Sequence, residues 1–170
     1  MIKYFYCPEC GKIYTAKIEY EVQKFDDRIH HDLYCWYECV CGYNAVEIDH
    51  GMLLIIQELN KTPFKTSYCC EGHLVNDGGT EDSYSNAYIV FDQSVTMEMF
   101  SELIGKYPLP EGWVLEDYNS DNEYNVCIRY TLIDDQYGKL TETEFEIKKK
   151  YYLMELSRWV NHVISKDDNV

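Results

Sequence analysis

No stretch of this chain approaches the roughly 20 consecutive apolar residues of a membrane-spanning helix, and its start, MIKYFYCPEC, lacks the apolar core of a secretory signal. The expectation is a cytoplasmic protein with no membrane partner. Proline (4) and glycine (9) are few, and no Gly, Pro or Ser run marks a flexible linker, which excludes collagen-like and low-complexity architectures. Basic residues are scarce as well. Fifteen Lys and Arg stand against 30 Asp and Glu in 170 residues, a formal charge of −15 and a pI of about 4.6. Such a field repels phosphate and forgoes the counterion release that supplies most non-specific affinity for DNA or RNA, so direct nucleic-acid binding is disfavoured. What is present is core material: 46% of the residues are apolar, including 17 Tyr, 6 Phe and 3 Trp, enough for a packed globular interior.

The acidity is unevenly spread. Residues 1–48 carry a net −3 and residues 49–170 a net −12, and Lys106 is the single basic residue between Glu71 and Glu123. Negative charge of this kind keeps a protein soluble, and it also suits a partner protein with a basic surface.

Eight cysteines occur, and their spacing points to metal rather than to disulfides. Cys7-Pro-Glu-Cys10-Gly11 places two thiolates and a turn glycine in one tight loop, and Cys39-Val-Cys41-Gly42 repeats the device one residue shorter. Four thiolates from two such knuckles satisfy the tetrahedral preference of Zn²⁺. The expected ligands are Cys7, Cys10, Cys39 and Cys41 around one structural zinc, with Cys35 as a competing ligand. Between the knuckles, Lys12 to Phe25 alternates as a long strand, Asp26-Asp27-Arg28 turns the chain, and Leu33 to Cys39 returns. The expectation is a zinc ribbon with an extended β-hairpin over residues 1–46, dependent on its metal because so short a module has little core.

Residues 47–170 read as an acidic α+β domain, a mostly antiparallel four-strand sheet packed with about three helices. Asp49 is the expected N-cap of a first helix ending at Lys61-Thr62-Pro63. Strands are expected near 64–70, 87–91, 113–118 and 126–132, with a polar loop from Glu71 to Asn86. A second helix is expected from Ser94, and a third is opened by the capping box Thr141-Glu142-Thr143-Glu144.

The first of these strands ends in Ser67-Tyr68-Cys69-Cys70-Glu71-Gly72-His73, where thiols, a carboxylate and an imidazole leave a sheet edge. Alternation with Phe64, Thr66 and Tyr68 on the inner face puts Cys70 inside and Cys69 outside, so that His73 folds back toward Cys69. A thiolate beside an imidazolium is the usual form of a cysteine nucleophile, with Glu71 placed to orient the ring. Two readings follow. In the first, Ser67, Cys69, Glu71, His73 and Asp77 bind a protein segment or small ligand, and the protein is a zinc-binding accessory or regulatory factor. In the second, Cys69, His73 and Glu71 are catalytic, with a possible second metal.

The segments CPECG and CVCGY, followed by a helix and then FKTSYCCEGH and AYIVF, resemble uncharacterised zinc-ribbon proteins of Gram-positive bacteria and their phages. The resemblance covers roughly the first half of the chain and implies a phage or mobile-element association. It carries no activity over.

Overall fold

A computed structural model describes residues 2–17, 24–25, 28–29, 37–75, 83–84, 86–120, 123–130 and 140–167. The chain divides into two compact units, residues 1–50 and 51–170. In the first, β1 (Ile2–Tyr6) and β2 (Ile13–Lys17) form a hairpin that carries the first cysteine knuckle, and β5 (Tyr37–Glu38) and β6 (Asn44–Ile48) form one that carries the second. Strand β1 pairs antiparallel with β6, giving the sheet order β2-β1-β6-β5. The two knuckles therefore meet because their supporting strands share a sheet. The short pair β3 (Lys24–Phe25) and β4 (Arg28–Ile29) is antiparallel and places Phe25 opposite Arg28; the expected turn at Asp26-Asp27 lies outside the described residues. Of the expected return strand from Leu33 to Cys39, residues 33–36 lie outside the described residues, and Tyr37–Glu38 is strand β5, paired with β6. Because Asn44–Ile48 belongs to this sheet, the first unit extends past residue 46.

The second unit is α+β. After a 3₁₀ turn at His50–Met52 comes α1 (Leu53–Leu59), whose N-cap is Met52 without a side-chain cap, so Asp49 does not cap the α-helix. Strand β7 (Thr66–Cys70) follows. The Glu71–Asn86 loop is not wholly irregular, since β8 (Leu74–Val75) pairs with β9 (Ser83–Tyr84). Then come β10 (Tyr88–Phe91), α2 (Met97–Lys106), the hairpin β11 (Trp113–Ser120) and β12 (Glu123–Tyr130), and α3 (Glu142–Asp167). The sheet is antiparallel in the order β11-β12-β10-β7.

One face of this sheet is covered by helix. Phe91 packs on Phe100 of α2 at a ring separation of 4.7 Å, Tyr130 stacks on Tyr152 of α3 at 4.2 Å, and the Trp113 indole N–H donates to the Tyr152 carbonyl. Phe100, Leu156, Val160 and Val163 are buried below these rings. Burying each such large apolar side chain is worth about 1.5–3 kcal/mol, and the layer they form fixes β7 and β10 in place. Asn60, buried at the end of α1, anchors the entry to β7: its amide donates to Thr66 Oγ1 at 2.7 Å and its carbonyl accepts the Thr66 N–H at 3.0 Å.

Candidate metal centre and the end of strand β7

The four knuckle cysteines converge: the Sγ atoms of Cys7, Cys10, Cys39 and Cys41 all lie within 4.8 Å of one another. Cys7 and Cys41 are 3.5 Å apart and Cys10 and Cys39 are 3.4 Å apart. A disulfide would bring a pair to about 2.05 Å. A tetrahedron of thiolates at a metal–sulfur bond of about 2.3 Å has edges of about 3.8 Å, close to what is seen. None of the seven described cysteines is in a disulfide, and the tetrad is complete without Cys35, which lies outside the described residues.

Local backbone chemistry builds the two knuckles alike. In the first, the Cys7 N–H donates to the Lys12 carbonyl and the Gly11 N–H to the Cys7 carbonyl, both at 2.9 Å. In the second, the Cys39 N–H donates to the Tyr43 carbonyl and the Gly42 N–H to the Cys39 carbonyl, both at 2.8 Å. The second turn omits one residue and keeps both bonds, which explains how a Cys-x-Cys pair matches a Cys-x-x-Cys pair. Gly11 and Gly42 have φ of +71° and +88°, a region open to glycine at little cost.

The turns also aim backbone N–H groups at sulfur. Those of Cys10 and Glu9 face Cys7, that of Lys12 faces Cys10, that of Cys41 faces Cys39 and that of Tyr43 faces Cys41. Such donors stabilise thiolate over thiol. Burial pushes the Cys39 thiol up, but the Cys41 N–H, the Tyr14 hydroxyl and the neighbouring thiols of Cys41 and Cys10 outweigh it and bring Cys39 down to about 6. For Cys10 and Cys41 the lowering by the Lys12 and Tyr43 N–H groups is outweighed, chiefly by the Cys39 thiolate, and both are raised; burial raises Cys7. One thiolate is thus ready at neutral pH, and a divalent cation joining it would favour ionisation of the other three.

Tyr14 adjoins the cysteine cluster, which cysteine spacing alone does not reveal. Its hydroxyl lies 3.0 Å from Cys39 Sγ and accepts the Val40 N–H at 3.4 Å, tying β2 to the second knuckle. Phe5, Cys7, Cys39 and Ala45 form the buried cluster beneath, with Tyr14 packed against it. Groups that orient a metal's ligands typically contribute tenfold to a hundredfold in affinity, so Tyr14→Phe is expected to weaken metal binding by about tenfold. Competition with a chromophoric chelator measures this, and unchanged affinity would remove Tyr14 from the centre.

The end of β7 is arranged differently from the sequence expectation. Tyr68 pairs with Val90 but Thr66 with Phe91, so one residue, Ser67, is extra on β7. This bulge reverses the alternation. Thr66 is buried on the helix-covered face, whereas Tyr68 is 66% exposed on the other. Cys69, opposite Ile89, shares the helix-covered face, and Cys70, opposite Tyr88, shares the face of Tyr68. The sheet faces of the two cysteines are therefore exchanged, and both are half-buried. It is Cys70 Sγ that lies within 4.8 Å of a His73 ring nitrogen, with Cys70 half-buried and His73 exposed.

Glu71 is held by the scaffold. Its carboxylate accepts the Gly51 N–H at 2.7 Å and pairs with Lys149 of α3 at 3.2 Å, and its carbonyl accepts the Tyr152 hydroxyl at 2.6 Å. A Cβ on Gly51 would lie 2.5 Å from that carboxylate and 2.8 Å from Leu153 Cδ1, so a larger residue there would have to displace both side chains. Among the sequence-derived candidates, Glu71 and His73 lie at the corner after β7 beside Cys70, Cys69 lies on the helix-covered face, Ser67 occupies the bulge, and Asp77 lies outside the described residues.

Comparisons with protein-family models, with curated proteins and with solved structures find no match. Among the described residues, no helix is long and apolar enough to cross a membrane.

Proposed function

We propose that the protein is a zinc-binding accessory or regulatory factor: Cys7, Cys10, Cys39 and Cys41 hold one structural Zn²⁺, and the acidic α+β unit recognises a protein with a basic surface or a small ligand. The observation that carries this reading is the closure of the tetrad. Four sulfurs supply all four positions of a tetrahedral ion, leaving no place for a substrate or activated water, which is the signature of a structural rather than a catalytic site. All-thiolate donors favour zinc over magnesium, calcium or manganese. Cysteines without disulfides among the described residues suit a reducing, cytoplasmic setting, and the paired knuckles accord with the zinc-ribbon proteins of Gram-positive bacteria and phages that the chain resembles.

Recognition by the second unit rests on its charge. Glu98 and Glu102 are exposed on α2, within the segment whose single basic residue is Lys106. The test is retention of host proteins on immobilised wild type and on Glu98→Lys with Glu102→Lys. A basic protein held by wild type, released by salt and lost from the variant is the expected result; equal recovery on both surfaces would remove this face from recognition.

A second reading, an enzyme, is favoured by the Cys70–His73 proximity alone, and transfers the nucleophile from Cys69 to Cys70. It requires Cys70 in the folded protein to react with iodoacetamide faster than Cys127, whose thiol burial pushes up to about 11. Comparable, slow labelling of the two would end it.

A further inference from the structure

Helix α3 carries apolar residues on two sides. Phe145, Tyr152, Leu156, Trp159, Val160 and Val163 are buried against the rest of the unit. At 100° per residue, Ile147, Tyr151 and Met154 lie on the opposite side, about 180° away. They are 64%, 55% and 41% exposed. Single exposed apolar side chains are ordinary, but three at spacings of four and three make a continuous stripe, the seam of a helix that meets a second helix. Arg158, 67% exposed, continues the line by one more step of four.

We propose that this stripe is a homodimer interface in which α3 packs antiparallel against α3 of a second copy. The charges along the seam select both the occupant and its direction. Continued at the same spacings, the line runs Glu144, Ile147, Tyr151, Met154, Arg158, Asn161. A parallel pairing would set Glu144 against Glu144 and Arg158 against Arg158 of the partner copy, like charges face to face. An antiparallel pairing instead sets Tyr151 against Met154, Ile147 against the aliphatic stem of Arg158, and Glu144 against Asn161. It also places Lys148, on the flank of the stripe, beside Glu155 of the other copy, joining the pair that Glu155 makes with Arg158 of its own helix at 2.5 Å, and the two-fold axis makes that contact twice. The stripe is thus complementary to itself, as an isologous interface must be. Each copy buries three large apolar side chains, so the contact is a modest one and its dimer population rises with concentration.

Sedimentation velocity of the full, zinc-loaded chain across micromolar to submillimolar concentrations tests this. The expected result is a monomer–dimer equilibrium that Ile147→Lys with Met154→Lys shifts to monomer. Because these side chains are exposed, far-UV circular dichroism should be unchanged; if that pair of changes disturbs folding, Lys148→Glu reports instead. Lys148→Glu alone should weaken dimerisation about tenfold, by replacing two attractive pairs with two repulsive ones, and Lys148→Glu combined with Glu155→Lys should restore it. A monomer at every concentration, or a dimer indifferent to the stripe, would overturn the proposal. Loss of the dimer in Lys148→Glu without rescue by the charge exchange would overturn the antiparallel pairing.

Discussion

Cys39→Ser is expected to abolish metal binding and to unfold residues 1–50 while the second unit retains its own thermal transition. Cys39 is 2% exposed, 3.4 Å from Cys10 Sγ and 3.0 Å from the Tyr14 hydroxyl, so it joins the ligand set to the buried cluster of its unit. Serine keeps the volume and loses the thiolate. A structural zinc in a small module contributes about 10–16 kcal/mol to folding at neutral pH, far more than the buried cluster of Phe5, Ala45 and the two cysteines can replace. The check is twofold: metal released on denaturation, measured with a colorimetric chelator, should fall from one equivalent to none, and limited proteolysis should cut the first fifty residues and spare the rest. A first unit that stays protease-resistant without metal would show that its sheet folds unaided.

The second large effect is expected at Glu71→Ala. Lys149 and Glu71 are 12% and 16% exposed, and removing the carboxylate leaves an ammonium, the Gly51 N–H and the corner after β7 without a shared partner. Breaking one side of a buried ion pair costs about 3–5 kcal/mol; with Glu146 still 2.7 Å from Lys149, we expect about 2–4 kcal/mol. In a unit of this size that lowers the melting temperature by about 10 °C. Differential scanning calorimetry measures it, and a change within 1–2 °C, on the order of a surface substitution, would mean that Glu71 is free for ligand. The pair also carries a pH signature. Burial alone would lower Lys149, but its hydrogen bond to Glu146 and its interactions with Glu71 raise it above the ordinary 10.5. A lysine raised in the folded state lends stability that is fully present below its unfolded value and is lost as pH rises through the folded one. Stability should therefore fall above about pH 10.5 in wild type, and less so in the variant.

Features written in local sequence were legible in advance. The Thr141 to Glu144 capping box forms as expected, Glu144 Oε2 accepting the Thr141 N–H at 2.8 Å and Thr141 Oγ1 accepting the Glu144 N–H at 3.3 Å. The convergence of the four knuckle cysteines and the four-strand antiparallel sheet were legible for the same reason, since spacing and alternation are local properties. Helix α2 shows the limit of such reading. Ser94 looks like a cap, but its N–H is taken by Asp92 at 2.9 Å in a turn, and Thr96 caps Met99 instead. Strands β1 and β6 were hidden because each is five residues long, and pairing across more than forty residues of chain defines them. The bulge at Ser67 is set by the register with β10, which no pattern within β7 encodes, and so the faces of Cys69 and Cys70 were exchanged. The ion pair of Glu71 was hidden for a related reason: its partner, Lys149, is 78 positions away.

The central claim is that one zinc, held by the knuckle cysteines and by nothing else, organises the first unit. Native mass spectrometry of the untagged protein, before and after Cys39→Ser, tests it most directly. The account predicts one zinc per chain in wild type and none in the variant. Metal-free wild type that is folded throughout, or a zinc that survives the loss of Cys39, would contradict it.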